Sequence, residues 1–466
     1  MRVRFALQPK TGIDELPQMR APYSFPSKFV WGVATSAPQI EGGANEDGKG
    51  ESIWDRFAAQ PGRVRDGDTP AVACNHFHRF AEDFALMKQL GIRHYRFSFA
   101  WPRIHPDGGA AVNRAGIAFY HRLLDAMERN GVEPWGTLYH WDLPQALEDL
   151  GGWRGRATSD AFARYAATVV REFGTRIQHW ITLNEIPTFI GHGYRAGVHA
   201  PGAREAPAVV AQAFHHALLA HGHGVAAVRE YGGSKARVGL AHDLLVPIPV
   251  TETPEDIAAA EAELVGRYAH LLAPIFQGRY PLALLRRRGL AVPSAARGDL
   301  ALISQPIDFL GLNIYSGDFV RAGRKGRPEV LPFPPNYPHA APEWLRLAPQ
   351  SIYWALRHCH SVYRPRSMYI TENGAGFDDP APVGGEVLDL HRRDYLRNHL
   401  VQVHRACAEG IPCRGYFAWS FLDNFEWAEG YAQRFGLVHV NYDDQRRTPK
   451  LSAHWYARVM RENRIV

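Results

Sequence analysis

Several common ingredients are scarce or missing from this chain. Its 466 residues include four cysteines, Cys74, Cys359, Cys407 and Cys413, and no two of them form a CxxC pair. With so few, the default is reduced thiols, and a cytoplasmic location is expected. No run of about 18 apolar residues occurs, so no membrane-spanning helix and no membrane partner are expected. Residues Met1 to Arg20 have basic side chains but no continuous apolar core ahead of a small-residue cleavage site, which argues against a secretory leader. Lysine is rare, seven against 46 arginines, and basic residues alternate with acidic ones. The longest basic cluster, Arg286-Arg287-Arg288, has no interleaved aromatics, so the +6 net charge points to no nucleic-acid partner. Glycine (43) and proline (33) follow no period, which excludes collagen-like and coiled-coil chains.

Aromatic residues are plentiful. Twelve Trp, 19 Tyr and 23 Phe rule out disorder. Short apolar runs that read as strands lie at Phe29–Ala34, His94–Phe99, Glu133–Tyr139, Gln178–Leu183, Arg237–Ala241, Phe309–Leu312, Met368–Thr371 and Gly415–Trp419. Helix-period segments lie between and after them, near 75–90, 114–130, 158–173, 207–230, 255–277, 350–363, 389–408 and 449–463. The second is bracketed by Asn113 as a cap and Asn130-Gly131 as a stop. Eight strands alternating with eight helices predict an α/β fold, a single (β/α)8 barrel over residues 21–466, preceded by a flexible tail over 1–20. A doubly wound sheet would carry a GxGxxG turn after its first strand, and none is there. Gly42–Thr69 and Ser316–Pro349 exceed the repeat and read as long loops at the C-terminal face, where barrel active sites form.

A catalytic barrel needs polar residues at its strand ends. They stand at Gln39, Arg96, His140-Trp141-Asp142, Asn184-Glu185, His242-Asp243, Asn313 with Tyr315, Glu372-Asn373 and Trp419-Ser420. Two ends share one form, Trp180-Ile181-Thr182-Leu183-Asn184-Glu185 and Met368-Tyr369-Ile370-Thr371-Glu372-Asn373. By count they close the fourth and seventh strands and can face each other across the mouth. A single Glu is usually a surface or ion-paired residue. Two carboxyls flanked by aromatics, with Arg96 and Tyr315 nearby, suit glycosidic bond cleavage, which needs one acid and one carboxylate.

These residues carry a resemblance. From about Phe25 to about Val459 the chain resembles the glycoside hydrolase family 1 β-glucosidases. The matching segments are Phe29–Ser36 with Gln39–Gly42, Tyr95–Ser98 with Trp101-Pro102-Arg103, and Leu138–Pro144. Further on come Thr182–Glu185, His199–Gly202, Gly311–Asn313 and Thr371–Gly374, then Trp419-Ser420 with Asp423–Trp427, and Arg434–Leu437. The resemblance implies that Glu185 is the general acid/base and Glu372 the nucleophile. It implies that Arg96 and Tyr315 favour the anionic form of Glu372, and that Asn184 meets the sugar 2-hydroxyl. Gln39, His140, Asn313, Glu426 and Trp427 are implied as further sugar contacts, with Trp419 as a platform and Phe435 lining the pocket. It implies retention of configuration, with carboxyls about 5–5.5 Å apart, no metal, no cofactor, and β-glycosides and glucose as the molecules bound. It assigns no oligomeric state.

The chain departs from the family at Ile186-Pro187, where Pro-Trp is usual, so Pro187 is expected to reshape the aglycone side. Trp344, in the second long loop, is the candidate for the remaining aglycone wall. Ala37-Pro38 and Phe99-Ala100 also differ from the family. His76/His78, His215/His216 and His221/His223 lack the HExxH pattern of zinc sites, and packed or solvated histidines are the simpler reading. A phospho-β-glycosidase is disfavoured because Glu426-Trp427 is intact and a carboxylate repels phosphate. A thioglucosidase would typically lack the acid/base carboxyl, and a non-catalytic sugar-binding barrel would lack one or both. Galactoside or fucoside preference and transglycosylation stay open at this level.

Overall fold

The chain's short apolar runs become the staves of a closed barrel. The structure, a computed structural model, describes residues 23–466, and the tail expected over 1–20 lies outside them. The staves are β1 (Val30–Ala34), β2 (His94–Ser98), β3 (Glu133–Tyr139), β4 (His179–Asn184), β5 (Arg237–Pro249), β6 (Phe309–Ala322), β7 (Met368–Asn373) and β8 (Cys413–Trp419). Each pairs in parallel with its neighbours, and β1–β8 and β5–β6 pairings complete the ring. Helices α1 (His76–Gln89), α2 (Arg114–Arg129), α3 (Arg156–Phe173), α4 (Pro207–Tyr231), α5 (Pro254–Gln277), α6 (Gln350–Tyr363), α7 (Leu390–Ala408) and α8 (Leu451–Glu462) follow the eight strands in turn. This is the (β/α)8 barrel that the alternation predicts. With helices outside and side chains within, the staves are buried on both faces, so they read as apolar runs.

Local signals set the boundaries. Asn113 Oδ1 accepts the Ala115 amide at 3.2 Å and starts α2, and Gly131, at φ +69°, turns the chain into β3. The N-terminal end of the barrel is plugged by aromatics. The Trp135 indole stacks on His179 at 3.9 Å and meets Phe417 and Tyr369 at 4.9 Å and Phe309 at 5.7 Å. Only the opposite end is left for a site.

Two expectations need adjusting. β5 and β6 do not stop at Ala241 and Leu312. After a bulge they stay paired from Val246↔Gly317 to Pro249↔Val320, forming a ribbon above the rim. The stretch expected as a loop after Ser316 therefore starts as strand, and Pro328–Leu331 pairs back on it antiparallel. Likewise Gly42–Thr69 contains a helix, Ile53–Ala58, with a capping box between Ser52 and Asp55.

A buried ionic network ties the segment after β8 to the last two helices. Lys450 Nζ lies 2.6 Å from Asp379 and 2.7 Å from Asp423, and Arg434 reaches Asp423 at 2.8 Å. Arg392 pairs with Asp379 at 2.7 Å and Asp389 at 2.6 Å. Asp423 also accepts the Gly436 amide at 2.9 Å, which pins the loop carrying Glu426, Trp427 and Phe435. Burial alone pushes the Asp423 carboxyl up, but Lys450, Arg434 and Arg392 outweigh it and hold it below its ordinary value. Its contribution to stability is present above the unfolded-state value and is lost as pH falls through the depressed one. Removing one partner strands a buried charge. Lys450→Met is expected to lower the unfolding free energy by about 3–5 kcal/mol, measured by denaturant titration. Arg321→Ala, at an exposed pair with Glu329, is expected to leave the midpoint in place.

Candidate active site

Strand ends assemble the site around a buried guanidinium. Arg96, the third residue of β2, is fully enclosed. Its Nη1 donates to Glu372 Oε1 at 2.5 Å and to the Thr371 carbonyl at 3.1 Å. Its Nη2 donates to Asn184 Oδ1 at 2.6 Å, and its Nε to Thr137 Oγ1 at 3.3 Å. One side chain thus ties the ends of β4 and β7 across the mouth. The Tyr315 hydroxyl donates to Glu372 Oε2 at 2.7 Å, so both oxygens of that carboxylate are held.

The second carboxyl sits in a different setting. Glu185 follows β4 at φ +54°, a left-handed conformation uncommon for a residue with a side chain. Its amide donates to the Ala241 carbonyl at 2.9 Å, and Asn313 Nδ2 donates to its Oε1 at 2.7 Å. Asn313 Nδ2 also reaches Asn184 Oδ1 at 2.9 Å and is itself held by Thr371 Oγ1 at 2.7 Å, donating to Asn313 Oδ1. Asn184 Nδ2 donates to His140 Nε2 at 3.0 Å, and Trp141 Nε1 to the Asn184 carbonyl at 2.9 Å. The two glutamates therefore belong to one network.

Electrostatics separates them. Burial, then the neighbouring Asp243 and Glu372 carboxylates, push Glu185 well above its ordinary value, and Arg96 and Asn313 oppose this only in part. Burial also raises Glu372, against the Arg96 charge and the Tyr315 and Arg96 hydrogen bonds, and leaves a smaller rise. The first proton therefore stays on Glu185 and the negative charge on Glu372. Burial and the Arg96 charge keep His140 neutral.

The outer pocket brings the remaining expected residues together. Gln39 Nε2 donates to the Phe425 carbonyl at 3.0 Å, Asn424 Oδ1 at 3.1 Å and Glu426 Oε2 at 3.4 Å, while Ser36 Oγ donates to Gln39 Oε1 at 2.5 Å. Burial and the Glu372 charge push Glu426 up to about 8. Trp419 lies nearly parallel to His140, with ring centres 5.8 Å apart, and Trp427 packs on Trp141 at 4.3 Å. Phe435 meets Tyr315 edge-on at 6.3 Å. Behind Glu372, an added Cβ at Gly374 would overlap the Trp419 carbonyl, so only glycine lets the backbone after β7 lie this close to the end of β8.

The two aglycone candidates differ in where they lie. Trp344 is 58% exposed and meets Tyr315 edge-on at 6.1 Å. Pro187 lines a cavity of about 810 Å³ with Thr188, Asp243, Arg195, Phe214 and Tyr268. The histidine pairs are dispersed. His76 pairs with Asp83, His78 with Glu46, His215 with Asp299, and His221 bonds Thr182. Among the described residues no three His, Cys, Asp or Glu side chains converge to hold a metal. Trp54 was not foreseen in the site. Its ring lies 4.6 Å from Trp427, and it comes from the helix inside the first long insertion, where no periodicity marks it. Thr137 and Thr371 were also missed, because a threonine within an apolar strand looks like ordinary sheet.

A barrel with two unequal carboxyls at its fourth and seventh strand ends belongs to the class of glycosidic enzymes. Residues 21–465 match the model of glycosyl hydrolase family 1, and the chain belongs to that family. It is 43% identical over 442 residues to the 1,4-β-D-glucan glucohydrolase of Thermotoga neapolitana, covering 94% of this chain and 98% of the relative. It is likewise 43% identical to β-glucosidase A of Thermotoga maritima, with the same coverage. A solved structure of the Thermotoga maritima β-glucosidase in complex with glucoimidazole superposes with a TM-score of 0.87 at 42% identity, over 95% of this chain and 99% of that one.

The charge placement has a direct consequence. Arg96→Gln is expected to move the Glu372 titration upward by about 1–3 pH units, read by carbon-13 NMR of labelled glutamate carboxyls.

Proposed function

We propose that the protein is a retaining β-glucosidase, releasing terminal β-D-glucosyl residues from cellobiose, short oligosaccharides and aryl β-glucosides. The observation that carries this is the unequal pair. Glu372 is anchored through both oxygens by Arg96 and Tyr315, while Glu185 is buried and keeps a proton. In the first step a Glu372 oxygen bonds to the anomeric carbon as the bond to the aglycone oxygen breaks, and Glu185 delivers its proton to that oxygen. In the second step Glu185 takes a proton from water, whose oxygen displaces Glu372 from the anomeric carbon. Two inversions retain the configuration. Loss of the negative charge on Glu372 after the first step lowers the proton affinity of Glu185, which suits its change from acid to base.

The surroundings support a glucose-sized guest. Asn184 stands between Arg96 and His140, where a 2-hydroxyl contact would strengthen in the transition state. Gln39, His140, Glu426 and Trp427 present donors and acceptors to the outer hydroxyls, and Trp419 offers an indole face to the apolar side of the ring. Asn313 acts through Glu185 and Asn184. Glu426, where ionised, disfavours a 6-phosphorylated sugar. Trp344, exposed beside Tyr315, serves as a wall for the departing group. The four free cysteines support a reducing, cytoplasmic setting.

Glu372→Ala is expected to reduce 4-nitrophenyl β-glucoside hydrolysis to background. Glu185→Ala is expected to slow cellobiose cleavage by about 10²–10⁴-fold while sparing the first step on 2,4-dinitrophenyl β-glucoside, whose leaving group needs no proton. Wild-type rates in Glu372→Ala would contradict the assignment. Trp344→Ala is expected to raise the KM for cellobiose more than that for an aryl glucoside, and equal values would dismiss it as an aglycone wall.

A further inference from the structure

Asp243 is a half-buried carboxyl that the chemistry above does not use. It lies on β5 two residues beyond Ala241, whose carbonyl accepts the Glu185 amide. It is paired in register with Asn313, whose side chain bonds Glu185. On the other side, Thr188 Oγ1, in the turn of helix directly after Glu185, donates to Asp243 Oδ2 at 2.9 Å. Asp243 Oδ1 is enclosed without a protein partner. The residues on both sides of Asp243 are therefore bonded to Glu185, and among the described residues no cation forms an ion pair with it.

We infer that Asp243 is a positioning residue for the acid/base. As a second carboxyl beside Glu185, it acts through space to keep that residue's proton in place, and so sets the alkaline limit of turnover. This rests on the reading of Glu185 as acid/base. The physics is like-charge repulsion in a poorly solvated site, where two neighbouring carboxyls cannot both ionise easily. The other groups facing the pair are few. Glu372 adds negative charge from β7 and Arg96 positive charge from β2. The Tyr268 hydroxyl on α5 accepts from the Leu245 amide at 2.7 Å and donates to the Leu245 carbonyl at 3.4 Å. Across the cavity, Arg267 is engaged by Glu263 at 3.0 Å and Asp318 at 2.8 Å, and Arg288 by Glu263 at 2.6 Å. Arg195, His192, His270 and Glu205 stand on the same wall. Burial chiefly, with the Glu372 charge, also raises Asp243 itself, to about 7. Its influence on Glu185 therefore grows as pH rises through about 7 and Asp243 ionises.

The test is the pH profile of kcat/KM on cellobiose and on 2,4-dinitrophenyl β-glucoside for wild type, Asp243→Asn and Asp243→Glu. Asp243→Asn is expected to move the alkaline limb down by about one pH unit, and Asp243→Glu to restore it. Asp243→Ser, which keeps a hydrogen-bonding group for Thr188, carries the same expectation should the Asn variant fail to fold. The displacement is expected on cellobiose and absent on 2,4-dinitrophenyl β-glucoside, a distinction that a merely structural role would not produce. An unchanged alkaline limb in an active Asp243 variant would overturn this inference alone. A wild type inactive on every β-glucoside would overturn the underlying reading instead.

Discussion

Everything at the mouth of this barrel depends on Arg96. A guanidinium with no exposed surface is costly to enclose unless each donor finds an acceptor. Here the acceptors come from three other strands, Thr137 on β3, Asn184 on β4, and Thr371 and Glu372 on β7. The same ion pair that makes the burial tolerable also places a carboxylate at the centre and keeps it charged. Structural and chemical demands coincide in one contact, since a planar fork is needed to hold two strand ends at once. Lysine at this position would offer one point charge and lose the geometry.

The unequal behaviour of the two glutamates follows from what surrounds them. Glu372 has a cation and a phenol; Glu185 has an amide and a second carboxyl nearby. Neither environment is remarkable alone. Together they push the two protonation equilibria apart, which acid and base work within one site requires. The left-handed backbone at Glu185, Trp141 and Trp427 shows the local strain that such placement imposes, with φ of +54°, +80° and +53°. The ionic network of Lys450, Asp379, Asp423 and Arg392 holds the loop that bears Glu426 and Trp427.

Much of this was legible in the sequence because barrel staves are buried on both faces and end in polar residues. The eight strands and eight helices fall where apolar period and caps place them, and Asn113 with Asn130-Gly131 brackets α2 as read. The strand-end residues Arg96, Asn184, Glu185, Asn313 and Glu372 do converge. What the sequence hid has physical causes. The run Leu244-Leu245-Val246-Pro247-Ile248-Pro249 follows two polar residues, so β5 looked finished before its ribbon began. Trp54 packs on Trp427 from an insertion with no repeat to register it. Pro187, expected on the aglycone side, lines a cavity that Asp243 also lines, an adjacency that no spacing in the sequence reveals. The influence of Asp243 on Glu185 exists only once β4, β5 and β6 are side by side.

The central claim is that Glu372 bonds to the sugar. Incubation with 2,4-dinitrophenyl 2-deoxy-2-fluoro-β-glucoside, followed by intact mass and peptide mapping, tests it most directly. A single fluoroglucosyl adduct is expected on the peptide containing Thr371-Glu372-Asn373, and none in Glu372→Ala. An adduct on another carboxyl in the wild-type protein would contradict it.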